Sequence, residues 1–152
     1  MQEKQKMTLR KLLKKIEAAS KGSPELDREL ANVLPSAPLN VTSSIDAVVQ
    51  LIETELPGWW WTCGYCSLSN DASFYVPGST RFPYAKATIG PDSRTGPKAL
   101  ELLNDPKWGE HFDRGFHRDR LGGTVPLAML AAFLEAKIYL MKFQSKDQIA
   151  EP

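Results

Sequence analysis

Two histidine–aspartate pairs are the residues whose types and spacing come closest to those of a reactive centre. His111-Phe112-Asp113 and His117-Arg118-Asp119 repeat an H-x-D pattern. On an extended chain the histidine and aspartate of each pair share a face, because side chains alternate along a strand. Such pairs can bind a metal ion, or a carboxylate can orient a histidine that acts as a base. A strand with one solvated face shows the same alternation, so catalysis or metal binding at His111, Asp113, His117 and Asp119 is the less favoured hypothesis.

The two cysteines form a C-x-x-C sequence, Cys63 to Cys66, directly after three tryptophans. Redox pairs of this spacing lie at helix N-termini, whereas positions i and i+3 of a strand face opposite sides. A shared zinc site would need His111 and His117, whose spacing departs from that of zinc fingers. Buried structural cysteines are therefore the favoured interpretation.

The tryptophan run is the least ordinary feature of the sequence. An exposed tryptophan on a sheet can stack on a base, a sugar or a partner's side chain, although at least one of the three is expected in the core. Arginines on a later strand could complete an aromatic and cationic binding face around an outward Trp60. The predicted binding residues are Trp59, Trp60, Trp61, Arg114, Arg118 and Arg120.

Composition and motifs limit the function classes. The 152 residues are 42% hydrophobic and 24% charged, which is typical of a single globular domain and excludes a disordered chain or a coiled-coil rod. The sequence contains no G-x-S-x-G, Walker, G-x-G-x-x-G or H-E-x-x-H motif. We therefore expect no cofactor, and the absence of these motifs favours a protein that is not an enzyme.

Charge is distributed unevenly. Residues 1–22 carry seven basic and two acidic side chains, and the rest of the chain has a net charge of −4. A basic arm can steer an anionic partner, but lysines on the solvated face of a helix are common, so specific nucleic-acid binding is not expected. Few cysteines, an N-terminus without an apolar signal core and the lack of a 20-residue apolar run predict a cytoplasmic protein without a membrane span. Met7 is an alternative to Met1 as the first residue of the natural protein.

Helical spacing of apolar residues predicts three helices in the first part of the chain. Each follows a polar residue that can cap its N-terminus. The predicted helices are 8–22 with Thr8 as N-cap, 23–35 with Ser23 as N-cap and Pro24 at its first position, and 43–56 with Ser43 and Asp46 as a capping box.

From Trp59 onward the apolar period changes to two, which indicates strands. The order of elements predicts an α+β fold, an antiparallel sheet of three to four strands sandwiched with helices and preceded by a helical hairpin. The expected units are an N-terminal arm (1–36), a sandwich domain (41–143) and a flexible tail (144–152). The predicted elements are strands at 59–68, 72–76, 84–89 and 115–121, a short helix at 98–104, and a final helix capped by Thr124 that forms the centre of the core.

Several stretches of the sequence carry a resemblance to known proteins: Leu12–Ala19, Gly22–Asp27, Ser43–Ala47, Leu56–Trp61 and Thr124–Ala136. They resemble small hypothetical proteins of alphaproteobacterial phages and prophages, which are similar to the phage ABA sandwich domain family. The resemblance covers about residues 8–138, with 74–112 unlike it. It implies a sheet between helical layers, and it transfers no catalytic residue.

The favoured hypothesis for function is a phage or prophage accessory protein that acts by binding in the cytoplasm of the infected host. Expected partners are a host or phage protein or a small nucleotide-like ligand, and a homodimer is compatible with the sequence. The alternatives are a counter-defence protein that sequesters a host defence protein or a nucleotide signal, a metal-dependent enzyme using the region of His111 and His117, and a structural part of the virion.

Overall fold

The computed structural model describes residues 2–66, 84–91, 116–121 and 124–150. These residues form a mixed α+β structure with an antiparallel sheet, which confirms the α+β part of the predicted fold class. The predicted strand at 72–76 and helix at 98–104 lie outside the described residues. The described elements are helices α1 (Gln2–Ala18), α2 (Pro24–Val33), α3 (Ile45–Glu55) and α4 (Val125–Ala150), and strands β1 (Trp60–Cys66), β2 (Tyr84–Gly90) and β3 (Phe116–Leu121).

The described strands pair in the order β1-β2-β3, and both pairings are antiparallel. Pairing along β1 and β2 is continuous, with Trp60 opposite Gly90 and Cys66 opposite Tyr84. Directly opposed residues of an antiparallel pair share a face, and successive residues alternate between faces. One face carries the buried Ala85, Ala87 and Ile89 of β2. We call the other the polar face; it contains Trp60, Thr62, Gly64, Lys86, Thr88 and Gly90, and also the β3 positions His117 and Asp119.

Helix α4 lies at the centre of the hydrophobic core. Every residue from Val125 to Leu134 is buried, and a helix that is apolar on all sides belongs in the interior. It packs against α1 and α3 and against all three strands. Small side chains at Ala85 and Ala87 on β2 allow helix and sheet to approach closely. The prediction that the final helix is the centre of the core is confirmed, and in the described residues the helices lie on one face of the sheet.

The N-terminal helices belong to this same core. Leu9, Leu12 and Ile16 of α1 are buried in the cluster that includes α4, so α1 of the predicted N-terminal arm (1–36) contributes to the core. Helix α4 continues to Ala150. The division into an arm, a sandwich domain and a flexible tail (144–152) stays a prediction.

Local capping explains where the helices begin. Ser23 caps α2 as predicted, with its Oγ accepting a hydrogen bond from the Leu26 N–H at 3.2 Å. Helix α3 is capped by Ser44 and not by the predicted Ser43, because the Ser44 hydroxyl lies 3.2 Å from the Ala47 N–H that it satisfies. Thr8 is no N-cap, since α1 already begins at Gln2.

The predicted cap of the last helix is only partly correct. The Thr124 carbonyl accepts a hydrogen bond from the Ala128 N–H at 3.1 Å, which starts the helical ladder, and Pro126 occupies the second helical position. The Thr124 hydroxyl is buried and makes no hydrogen bond within the described part of the chain.

A buried polar cluster joins the start of α2 to the segment before α3. Oδ1 of Asp27 accepts hydrogen bonds from the Thr42 backbone N–H at 2.8 Å and from the Thr42 hydroxyl at 2.7 Å. The Ser23 N–H donates to the same hydroxyl at 3.0 Å. Because these buried polar groups satisfy one another, the cluster fixes the path of the chain between α2 and α3.

Candidate functional site

The three consecutive tryptophans have three different environments. Trp59 is partly buried against the core, and its ring stacks on Phe116 with the centroids 6.1 Å apart. Trp60 is half-buried on the polar face, and Trp61 is 37% exposed. The expectation that at least one of them serves the core is confirmed by Trp59.

The indole of Trp60 is fixed in place on the sheet. Trp60 lies opposite Gly90, and a Cβ atom built on Gly90 would fall 2.2 Å from Cζ2 of the indole. Only glycine allows the ring to lie this close to the β2 backbone. The indole Nε1–H donates a hydrogen bond to the carbonyl oxygen of Pro91 at 3.1 Å. The ring therefore forms a preorganised planar surface at one end of the polar face.

The remainder of the polar face is open and hydrophilic. The exposed Thr62 lies opposite the half-buried Thr88. A Cβ atom built on Gly64, two residues further along β1, would meet no heavy atom of the described residues within 4 Å, so these residues leave the space above this position open. Opposite Gly64 lies the half-buried Lys86, and on its other side Lys86 pairs with Asp119 of β3.

These residues form a strip with distinct chemistry along its length. An aromatic ring lies at one end, hydroxyl groups follow, and at the other end the cation of Lys86 lies opposite the position of Asp119. Lys86 and Gly90 are four positions apart on β2, which corresponds to roughly 14 Å along a strand. The arrangement suits a ligand that has a planar ring and an anionic group, since stacking, hydroxyl and ammonium groups can each contact a different part of it.

The register separates the predicted arginines from Trp60. Arg118 pairs with Ala87 and Arg120 with Ala85, so both occupy positions of the face opposite Trp60. Arg114 lies outside the described residues. Lys86 supplies the cation on the polar face instead, and sequence reasoning missed it. The alternation of small and polar residues in Tyr84-Ala85-Lys86-Ala87-Thr88 was the signal that could have identified it.

The histidine–aspartate pairs are only partly described. His117 pairs with Thr88 and Asp119 with Lys86, so this pair occupies adjacent rows of the polar face. His111 and Asp113 lie outside the described residues. Among the residues that the structure describes, no three histidine, cysteine, aspartate or glutamate side chains cluster as metal ligands. Metal binding by the four residues stays a prediction.

The two cysteines occupy opposite faces of β1. Cys63 pairs with Ala87, which is on the buried face of the sheet, and Cys66 pairs with Tyr84, which is on the polar face. Cys63 is a free, half-buried thiol. Burial disfavours the thiolate and raises the pKa of Cys63 above its ordinary value. A raised pKa makes this thiol a weak nucleophile near neutral pH, which fits a structural role.

Comparison of the chain with protein-family models, curated proteins and solved structures gave no match. Phage origin and the ABA sandwich family therefore rest on the resemblance in the sequence and stay predictions. Within the part of the chain that the structure describes, no helix is both long and apolar enough to cross a membrane.

Proposed function

We propose that this chain is a phage or prophage accessory protein that acts by binding in the cytoplasm of the infected host, and that its binding site is the polar face of the sheet. One observation carries the proposal. The indole of Trp60 is held against Gly90 and anchored to the Pro91 carbonyl, so a planar surface is ready for a partner before binding. Such preorganisation lowers the entropic cost of binding.

The chemistry of the polar face favours a small nucleotide-like ligand over a partner protein. A base can stack on Trp60, sugar hydroxyls can reach Thr62 and Thr88, and a phosphate can approach Lys86. Capture of such a ligand would make the chain a counter-defence protein that sequesters a nucleotide signal. A host defence protein docking on the same face is the alternative outcome.

The proposed architecture is a sheet of three to four strands sandwiched between helical layers. Helix α4 supplies the layer on one face of the sheet. The sequence resemblance to the phage ABA sandwich domain family supports a second layer. A complete sandwich would make the polar face a partly enclosed site, with its opening above Gly64.

The test is calorimetric titration of the purified chain with a panel of nucleoside mono-, di- and triphosphates and cyclic dinucleotides. We expect one class to bind in the micromolar range or tighter. Gly90→Ala displaces the indole without removing it, and Lys86→Gln removes the cation; each should weaken binding tenfold or more. Trp61→Ala is the matched control, because this exposed tryptophan occupies the other face, and it should leave binding unchanged.

The outcome separates the proposed functions. No binding by any member of the panel, or binding that Gly90→Ala leaves intact, would overturn the nucleotide site. Turnover of the bound compound, or stoichiometric metal lost when His111 and His117 are both replaced, would instead favour the metal-dependent enzyme.

A further inference from the structure

Helix α1 carries a set of exposed cations on one side. Successive residues of a helix are about 100° apart, which places these side chains within an arc of about 120° of the helix circumference. All four are exposed, and none forms a salt bridge within the described part of the chain. We call this set the α1 cationic face; it consists of Lys4, Arg10, Lys11 and Lys14.

The neighbouring lysines differ from this set. Lys15 forms an ion pair with Glu29 at 3.0 Å, and Lys6 lies 4.0 Å from Glu3. The cations of the α1 cationic face are free to meet an external anion, whereas Lys15 already has an internal partner. This difference provides a matched control within one helix.

The other side of α1 is locked into the core. Leu9 and Ile16 are fully buried and Leu12 is nearly so. The apolar face is therefore not available for insertion into a bilayer, and among the described side chains of α1 the one large exposed apolar residue is Met7. Interfacial membrane helices need a free apolar face in addition to their cations. A helix that presents cations from a rigid support instead suits a stiff, densely charged partner.

We propose that the α1 cationic face binds the phosphate backbone of duplex DNA without reading its sequence. Duplex DNA carries about one negative charge per 1.7 Å of its axis, and cations that contact phosphates release condensed counterions. Residues 23–152 have a net charge of −4 and repel the duplex, which favours contact through α1. This inference is independent of the ligand site on the polar face.

Counterion release gives the proposal a quantitative signature. Four phosphate contacts predict a slope of about −3.6 in a plot of log affinity against log salt. The affinity of the chain for DNA should accordingly fall roughly 150-fold between 50 and 200 mM salt.

The experiment is fluorescence anisotropy of a labelled 20-base-pair DNA duplex titrated with the full chain across this salt range. We expect binding at 50 mM salt that is the same for two unrelated sequences of equal length. Replacing Lys11 and Lys14 together by alanine should reduce the magnitude of the slope by about two and leave only a roughly tenfold fall over the same salt range. Lys15→Ala removes a charge of the same kind from the same helix and should change the slope by less than one.

Circular dichroism of each variant shows that α1 still folds. The proposal is overturned if the chain does not bind the duplex at 50 mM salt, or if the Lys11 and Lys14 variant binds as the unmodified chain does. Vesicles of anionic phospholipid are the second probe. Lysine-dependent binding to vesicles without binding to the duplex would assign the face to a membrane surface and would also overturn the proposal.

Discussion

The ammonium group of Lys137 lies 2.9 Å from the carboxylate of Glu55, and this ion pair joins the end of α3 to the middle of α4. The Ser36 hydroxyl donates to the other carboxylate oxygen at 2.5 Å. Burial acts to raise the pKa of Glu55, but the hydrogen bonds from Ser36 and Lys137 and the charge of Lys137 outweigh it, so the pKa is lowered. The interaction therefore favours the ionised carboxylate in the folded state.

Breaking this pair should make stability depend less on pH. Because the pKa of Glu55 is lower in the folded state, its contribution is present above the ordinary value of 4.5 and is lost as the pH falls through the folded-state pKa. Lys137→Met should lower the free energy of unfolding by about 1 to 3 kcal/mol at pH 7 and by much less at pH 3. Urea denaturation from pH 3 to pH 7 measures this.

The control for that comparison is Lys15→Met. The Lys15–Glu29 pair has nearly the same length, 3.0 Å, but its side chains are 57% and 42% exposed. Exposed pairs contribute about 0 to 1 kcal/mol, so this variant should be close to the unmodified chain at every pH. Equal losses in the two variants would contradict the role given to Glu55.

Two glycines should respond in opposite ways to alanine. A Cβ atom on Gly22 would lie 2.3 Å from the backbone oxygen of Thr42, inside the polar cluster with Asp27. Gly22→Ala should destabilise the fold by about 1 to 3 kcal/mol. Gly64→Ala meets no atom within 4 Å and should leave stability unchanged or raise it by up to about 1 kcal/mol. Thermal and urea unfolding of both variants measure these changes in stability. If Gly22→Ala is as stable as the unmodified chain, Gly22 is not packed closely against the Thr42 backbone.

Removing the ring of Phe116 should lower the free energy of unfolding by more than the substitutions at Lys137 or Gly22 do. Phe116 is 2% exposed, stacks on Trp59, and meets Tyr139 of α4 edge-on with centroids 5.8 Å apart. Phe116→Ala should reduce the free energy of unfolding by about 3 to 5 kcal/mol, whereas Phe116→Leu keeps most of the volume and should cost less than half of that. Urea denaturation gives both values, and near-UV circular dichroism should show a weakened aromatic signal. If Phe116→Ala and Phe116→Leu lower the free energy of unfolding equally, the volume of the side chain is not what stabilises this position.

The thiol of Cys63 should react slowly in the folded chain. Burial raises its pKa above the ordinary value of 9.0, so less of it is thiolate at pH 8. In a Cys66→Ser background, alkylation by iodoacetamide should be slower than in the urea-unfolded chain, with a rate midpoint above pH 9.0. The pH profile of the alkylation rate measures this midpoint, and a midpoint below the ordinary value would show that Cys63 is activated.

Features set by local chemistry could be predicted from the sequence. Ser23 followed by Pro24 determines the start of α2, and the apolar run from Val125 requires a buried helix. The prediction was wrong where two neighbouring residues could each cap the same helix. Ser43 and Ser44 are chemically equivalent, and the choice of Ser44 is made by the backbone hydrogen bond from the Val48 N–H to the Ser44 carbonyl at 3.2 Å.

The candidate site depended on strand register, which the sequence does not determine. Whether Arg118 or Lys86 shares a face with Trp60 changes if a strand shifts by one residue. The positions of Trp60 and Gly90 in one row could not be inferred from residues 30 apart in the chain. The aromatic binding surface was recognisable from the tryptophans, but its cation was not.

The packing of α1 against α4 also determines the order in which this protein can fold. Ile16 and Val125 share one core although more than a hundred residues separate them in the chain. Contacts between such distant segments are slow to form, because a long loop must close first. During synthesis α1 and the strands are made before α4, which packs against them both. The nascent chain must therefore keep two apolar surfaces from aggregating until α4 is complete.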